Sequence, residues 1–213
     1  MDERSRLRHN VRQAGYFDSR VGHFQQPIPQ SIQNRTGNIV RAAGLDRNAT
    51  VLDVGTGVGV LIPYFLEQGV LAENILGCDL SGSMLAIARS RFPSVRFWQG
   101  DFLDLPATGR REGNPSRRNS FTAIFFNACF ANLFDSEAAL TRAAGMLAPN
   151  GRVLISHPLG SGFVAGLHAG QPDIVPNLLP KRNELERYAK SSGLRIGRLE
   201  DEEDYYLAIL KAP

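Results

Sequence analysis

The sequence is short of several things at once. Cysteine occurs only twice, as Cys78 and Cys129; both stand in apolar strand contexts, which predicts free, buried thiols and leaves no material for a disulfide framework. Two cysteines and four histidines show no ligand spacing, so no metal site is expected. No apolar run approaches the roughly 18 to 20 residues that cross a bilayer, which leaves no membrane span in the reading. The arginines near the start are interrupted by Asp2, Glu3 and Asp18, and no apolar stretch follows Met1. Neither a secretory signal nor a transit peptide is supported, and a cytoplasmic location is the default expectation. Net charge is small, at +3. Arg110, Arg111, Arg117 and Arg118 against Glu112 place that excess in one Gly/Pro/Ser-containing loop, Ala107–Ser120, read as a solvated insertion. Nucleic-acid binding asks for a broader basic surface with interleaved aromatics, so a nucleic-acid partner is not expected.

Against these shortages stand 213 residues, 43% of them hydrophobic, enough to bury one substantial core. The run VLDVGTGVGV, Val51 to Val60, joins a buried strand to a glycine turn and puts a carboxylate, Asp53, inside the junction. Gly55, Gly57 and Gly59, with Thr56 between the first two, give a turn in which backbone can approach a ligand closely. The spacing is G-x-G-x-G, and Asp53 would repel a pyrophosphate at the following helix N-terminus. A cationic ligand fits better. S-adenosylmethionine (SAM), with a sulfonium and an ammonium close together, is stabilised by the carboxylate that would disfavour a dinucleotide.

Two further strand ends fall at matching distances. Ile75 to Leu80 is a second apolar strand ending in Asp79, twenty residues after Gly59, where an acidic side chain can accept both ribose hydroxyls. Val95 to Trp98 is a short third strand followed by Gln99-Gly100-Asp101-Phe102, offering Asp101 to an adenine amine and Phe102 as a ring beside the base.

The remaining elements alternate as a doubly wound sheet requires. Met1 to about Leu45 reads as two helical pieces broken near Pro27 and Pro29, a helical cap (residues 1–45) ahead of the main domain (46–213). A helix runs from the glycine turn to Gly69, with Pro63 in its first turn. Ser81 caps a helix to Phe92, Phe121 to Phe126 is a strand, Asp135 caps a helix ending near Leu147, and Arg152 to His157 is the fifth strand. Residues 158–181 are too long and too rich in Gly and Pro for a connector; a short helix around Phe163 to His168 and a role as substrate cover are expected. Arg182 to Ser192 is helical, stopped by Gly193. Leu194–Leu199 and Tyr205–Leu210 close the sheet, with Glu200 to Asp204 as the solvated turn between them.

From Thr50 onward the chain resembles the class I SAM-dependent methyltransferases. VLDVGTGVG is similar to their first motif, CDLSGSML to the acidic strand end and following helix, QGDFLDLP to the adenine-contacting motif, and MLAPNGRVLIS to the turn and fifth strand. The stretch Asp79-Leu80-Ser81-Gly82-Ser83-Met84-Leu85 is most similar to the branch that includes small-molecule methyltransferases of quinone biosynthesis. The resemblance implies a Rossmann-like α/β fold with a seven-stranded sheet, parallel except for one reversed strand. It also implies SAM as cofactor, held by Asp53, Gly55, Thr56, Gly57, Gly59, Asp79, Leu80, Met84, Asp101, Phe102 and Asn127.

Methyl transfer displaces a carbon already activated by the sulfonium, so positioning can supply much of the rate and a base is optional. The ends of the fourth and fifth strands place Asn127 and His157 near the transfer site. His157 is the candidate base, against the alternative that it anchors the chain before Pro158. Asn127 begins Asn-Ala-Cys-Phe where relatives that methylate amino groups of nucleic acids carry Asn-Pro-Pro-Tyr; the prolines are absent, and its carbonyl is assigned to the methionine part of SAM. His23, Tyr16 and His168 are read as surface or packing residues. Phe17, Phe24, Phe130, Phe134, Phe163 and Leu167 are available for a greasy acceptor pocket. The expected activity is methyl transfer to a small, partly apolar molecule. RNA or protein methylation, and a SAM-binding module without catalysis, are the alternatives.

Overall fold

Strands that are apolar on both faces must be covered on both, and the alternation of such strands with helices produces a three-layer arrangement. A computed structural model describes residues 2–106 and 121–212; the loop expected at Ala107–Ser120 lies outside them. The strands are β1 (Val51–Val54), β2 (Ile75–Asp79), β3 (Arg96–Gln99), β4 (Phe121–Asn127), β5 (Leu147–His157), β6 (Arg195–Glu202) and β7 (Tyr205–Lys211). They form one sheet in the order β3-β2-β1-β4-β5-β7-β6. β7 runs antiparallel to both neighbours while the β1–β5 pairings are parallel, so one strand is reversed, as expected. The order changes direction between β1 and β4, the switch point where ligands of open α/β sheets bind beyond the carboxyl ends of the strands.

The helices are α1 (Glu3–Asp18), α2 (Gln30–Ala42), α3 (Ile62–Glu67), α4 (Gly82–Arg91), α5 (Ser136–Met146), α6 (Gly160–Gly170) and α7 (Arg182–Ser192). One core joins Leu52, Val54, Ile124, Phe126, Val153 and Ile155 to α5, α6 and α7. The other joins Val51, Phe125, Leu154 and Leu207 to α2 and α3. α2 is thus a layer helix: Ile39 and Val40 are buried in that second core. α1 instead crosses the carboxyl ends of the strands. Its buried residues are the polar Arg6 and Gln13, while Leu7 and Val11 are 62% and 66% exposed.

Local signals behave as their chemistry predicts. Ser81 Oγ accepts from Met84 N at 3.1 Å and Asp135 from Ala138 N at 2.8 Å, capping α4 and α5, and Gly193 ends α7 at φ +70°. Several boundaries differ. α3 is confined to Ile62–Glu67, after a turn that occupies the residues just behind the glycines. β3 starts one residue later than expected. β5 begins at Leu147 because Leu147 pairs with Phe121 before a register irregularity. The cover helix is longer, starting at Gly160, whose φ of +76° and closeness to the Glu203 carbonyl admit no side chain. Glu200, Asp201 and Glu202 are not a turn but the end of β6, paired with Leu207, Tyr206 and Tyr205; an edge strand leaves acidic side chains hydrated while its backbone pairs. Cys78 is free and buried, whereas Cys129 is free but only half-buried.

Candidate functional site

The glycine turn leaves β1 with Gly55, Gly57 and Gly59 at φ +66°, +55° and +83°. Gly55 and Thr56 donate their N–H groups to the Cys78 carbonyl, tying the turn to β2. The surroundings of the three glycines differ. A side chain at Gly55 would lie 2.6 Å from Cys129 Cβ and one at Gly59 2.8 Å from the Phe92 ring, but Gly57 faces open space. That opening, walled by backbone alone, is the kind of close approach a ligand requires.

Asp53 and Asp79 stand beside it, and Asp101 follows the neighbouring strand β3. Asp53 is 2% exposed and its Oδ2 accepts from Thr56 Oγ1 at 2.7 Å. Burial, reinforced by the charge of Asp79 and opposed by the Thr56 hydroxyl, pushes its pKa up to about 7. Asp79 bridges the turn to α4, accepting from Gly57 N at 2.8 Å through Oδ2 and from Ser81 N at 2.9 Å through Oδ1. Burial raises its pKa as well, against those backbone hydrogen bonds. Asp101 Oδ1 accepts from Leu103 N at 2.9 Å, and its Oδ2 accepts from Arg6 Nη1 at 2.8 Å and Asn10 Nδ2 at 2.7 Å. A buried acid, Asp53, and a half-buried one, Asp79, on adjacent strands favour a positively charged occupant.

The other residues read from the sequence are dispersed. Leu80 is half-buried directly after Asp79. Met84 and Phe102 are core residues: Phe102 is 3% exposed and lies edge-on to Phe126 at 5.4 Å, so its ring backs the site instead of facing a base. Asn127 Oδ1 accepts from Ser156 Oγ at 2.9 Å. Side chains alternate along strands. Asn127 therefore shares the α2/α3 face with Phe125, and His157 shares the opposite face with Ile155. His157 is 8% exposed, its ring is 5.4 Å from Phe163, and its Nδ1 accepts from Leu159 N at 3.2 Å. Burial lowers its pKa to about 4. The aromatics do not form one pocket: Phe130 is in the core, Phe17 packs on Tyr16 and Phe24, Phe134 on His9, and Phe163 on His157.

Two groups carried no sequence signal. Asp18, at the end of α1, accepts from Ser81 Oγ and Ser83 N, beside Asp79. His9 Nε2 donates to the Asn132 carbonyl at 2.8 Å; a carbonyl only accepts, so the proton sits on Nε2 and Nδ1 keeps its lone pair. Burial lowers the His9 pKa, with Asp101 opposing the shift. Both lie on a helix whose inward face is polar, and a periodicity scan follows apolar faces.

The sheet order, the reversed β7 and the glycine turn flanked by acidic strand ends define the class I SAM-dependent methyltransferase fold. The methyltransferase domain family model matches residues 51–151, and the fold is that of the class I SAM-dependent methyltransferases. Demethylmenaquinone methyltransferase of Thermus thermophilus is 35% identical over 109 residues, 49% of this chain and 45% of that protein. A ubiquinone/menaquinone biosynthesis C-methyltransferase of Idiomarina loihiensis is 26% identical, over 68% of this chain and 57% of its own. The chain thus spans about half the length of the curated relatives it matches. Among solved structures, a SAM-dependent methyltransferase of Aquifex aeolicus superposes with a TM-score of 0.69 at 18% identity, covering 92% of this chain and 98% of that one. Magnesium protoporphyrin IX methyltransferase of Synechocystis, with bound SAM, gives 0.67 at 15% identity over 96% and 97%. No helix among the described residues is long and apolar enough to cross a membrane, and no group of metal-ligating side chains is found among them.

Proposed function

We propose that the chain binds SAM at the β1–β4 switch point and transfers its methyl group to a small, partly apolar acceptor. The observation that carries this reading is the open side of the turn at Gly57, with the buried Asp53 and the half-buried Asp79 beside it. When bound, SAM supplies a methyl group made electrophilic by its sulfonium. In this reading Asp53 faces the cationic end of the cofactor, Asp79 the ribose hydroxyls and Asp101 the adenine amine. Gly55, Thr56, Gly57 and Gly59 give the turn its path; Leu80 and Asn127 border the pocket, while Met84 and Phe102 support it from the core. The names of the curated relatives favour a quinone-like acceptor over RNA or protein.

Of the two histidines near the strand ends, His9 is the better proton acceptor. Its Nδ1 has no hydrogen-bond partner among the described residues, whereas the Nδ1 of His157 is engaged by Leu159. His157 therefore orders the β5–α6 turn in this reading, and positioning carries most of the catalysis.

Titration calorimetry with SAM, its product S-adenosylhomocysteine and NAD tests the cofactor: the first two bind and NAD does not. Labelled SAM incubated with a metabolite extract, total RNA and total protein then separates the acceptor classes. Label confined to macromolecules overturns the small-molecule reading, and binding without transfer into any of the three leaves a SAM-binding module.

A further inference from the structure

At the opposite end of the sheet, three cations stand side by side on adjacent strands. Arg152 of β5 pairs directly with Lys211 of β7, and Lys211 pairs directly with Arg195 of β6. Directly opposed residues project to the same face, and like charges so placed repel. The three line one cavity of about 420 Å³ together with Asn150, Ile196, Gly197 and Ala212, and among the described residues no carboxylate lines it. Nearby cations are neutralised: Arg198 pairs with Glu200 and Arg35 with Asp204. Among the described residues, none of the three has an ion pair.

The local backbone favours this exposure of charge. β6 carries a register irregularity between Ile196 and Arg198, and a side chain at the intervening Gly197 would lie 2.9 Å from Lys211 Cε. The glycine lets the lysine stem lie down across β6 over Gly197, and a bulge is a device for re-aiming side chains. Arg152 donates through Nη1 to the Ala43 carbonyl at 2.7 Å, which fixes its guanidinium beside the end of α2. Its Nε is buried without a hydrogen-bond partner among the described residues, which leaves this guanidinium with a donor they do not engage. Arg152 is four residues along β5, roughly 13 Å, from Ser156, which pairs with Asn127 at the carboxyl end of β4, and the cavity is separate from the proposed cofactor site.

We propose that this row binds a ligand carrying two linked phosphate groups. Adjacent strands are about 4.8 Å apart, so the row extends for about 10 Å. One phosphate reaches two neighbouring cations; a diphosphate lying along the row engages all three. Arginine offers planar paired donors and lysine a compact charge, the combination that suits phosphoryl oxygens. The bound anion also relieves the repulsion that the bare row builds into the β5–β7–β6 ladder.

Inorganic pyrophosphate is the probe, titrated calorimetrically into the full chain with sodium chloride adjusted to constant ionic strength. Saturable binding is expected, with orthophosphate weaker by roughly tenfold and Lys211→Gln or Arg195→Gln weakening pyrophosphate by a similar factor. Without ligand, Lys211→Gln melts at or above the wild-type temperature, because removing the middle charge removes both repulsions. Both variants keep wild-type affinity for S-adenosylhomocysteine, which separates this site from the cofactor reading; loss of cofactor binding in the wild type leaves the pyrophosphate result standing. Heat no larger than that of the matched salt overturns the proposal, as does pyrophosphate binding that survives both substitutions. Tighter binding of single-stranded RNA, falling steeply with salt, reassigns the surface to nucleic acid and overturns it equally.

Discussion

Asp53 carries a cost of burial in the ligand-free protein, which on the proposed reading the cation of SAM removes. Its carboxyl is held at about pH 7 by burial, above the usual carboxylate value, so the native chain keeps a proton that the unfolded chain has already released. The sign follows: the native state binds more protons between about pH 4 and 7, and this residue's contribution to stability falls as pH rises through that window. The comparison of wild type with Asp53→Asn isolates it from other titrations. The variant is expected to gain on the wild type by up to about 4 kcal/mol as pH rises from 4 to 8, measured by urea unfolding, while losing affinity for SAM. For the wild type, SAM affinity rises over the same window; a flat profile removes Asp53 from the cation's surroundings. His157 has the opposite sign. Its pKa is depressed to about 4, so its contribution is present above about pH 6.5 and is lost as pH falls toward 4. His157→Gln should flatten that acid loss and keep turnover within a few-fold, whereas His9→Gln should lower turnover by about a hundredfold with S-adenosylhomocysteine affinity retained. Reversal of the two results returns the base to His157.

At the scale of elements, the glycine turn and α1 make separate demands. Gly55→Ala combines a left-handed backbone with contact on Cys129 and should cost more than the about 1 to 3 kcal/mol of backbone strain alone. Gly57→Ala meets open space, so its stability loss should be the smaller and its loss of SAM binding the more complete; melting curves and calorimetry on the pair decide this. α1 is attached by polar contacts: Arg6 to Asp101 and Asp104, Asn10 to Asp101, Gln13 to the Ile174 carbonyl, and Asp18 to Ser81 and Ser83. Water can replace such contacts more readily than buried apolar area. Asp101 Oδ2 already accepts from both Arg6 and Asn10, so an adenine amine reaches that oxygen only when one of them gives way, whereas Oδ1 accepts only from Leu103 N among the described residues and keeps a lone pair. Arg6→Ala should raise hydrogen exchange across residues 3–18 and speed both association and release of S-adenosylhomocysteine, with little change in exchange of the β1 and β4 core. Unchanged ligand kinetics would show that α1 does not gate the site.

For the whole molecule, legibility tracked the range of the interactions. The succession of strands and helices along the chain, the caps at Ser81 and Asp135 and the stop at Gly193 follow from periodicity and local backbone chemistry and were readable in the chain, while the sheet with its reversed strand was implied by the family resemblance. The glycine turn and the three acidic strand ends were readable too, because each is a short segment with its own chemistry. Facing was not. Asn127 and His157 end neighbouring strands, yet two-residue alternation, combined with the β4–β5 register, sends them to opposite faces. Phe102 stands next to Asp101 in sequence but turns into the core against Phe126. The distant partners of Arg6, His9 and Asp18 are between 63 and 123 residues away, and no local pattern encodes a contact across that distance. The row of Arg152, Lys211 and Arg195 exists only through strand pairing. The sequence by itself determined the class of fold and the position of the glycine turn, since burial periodicity and backbone preference are properties of consecutive residues. Tertiary structure alone decided which side chains share a face, which carboxylates are already engaged and where like charges are forced together, because register and packing bring distant residues within a few ångströms.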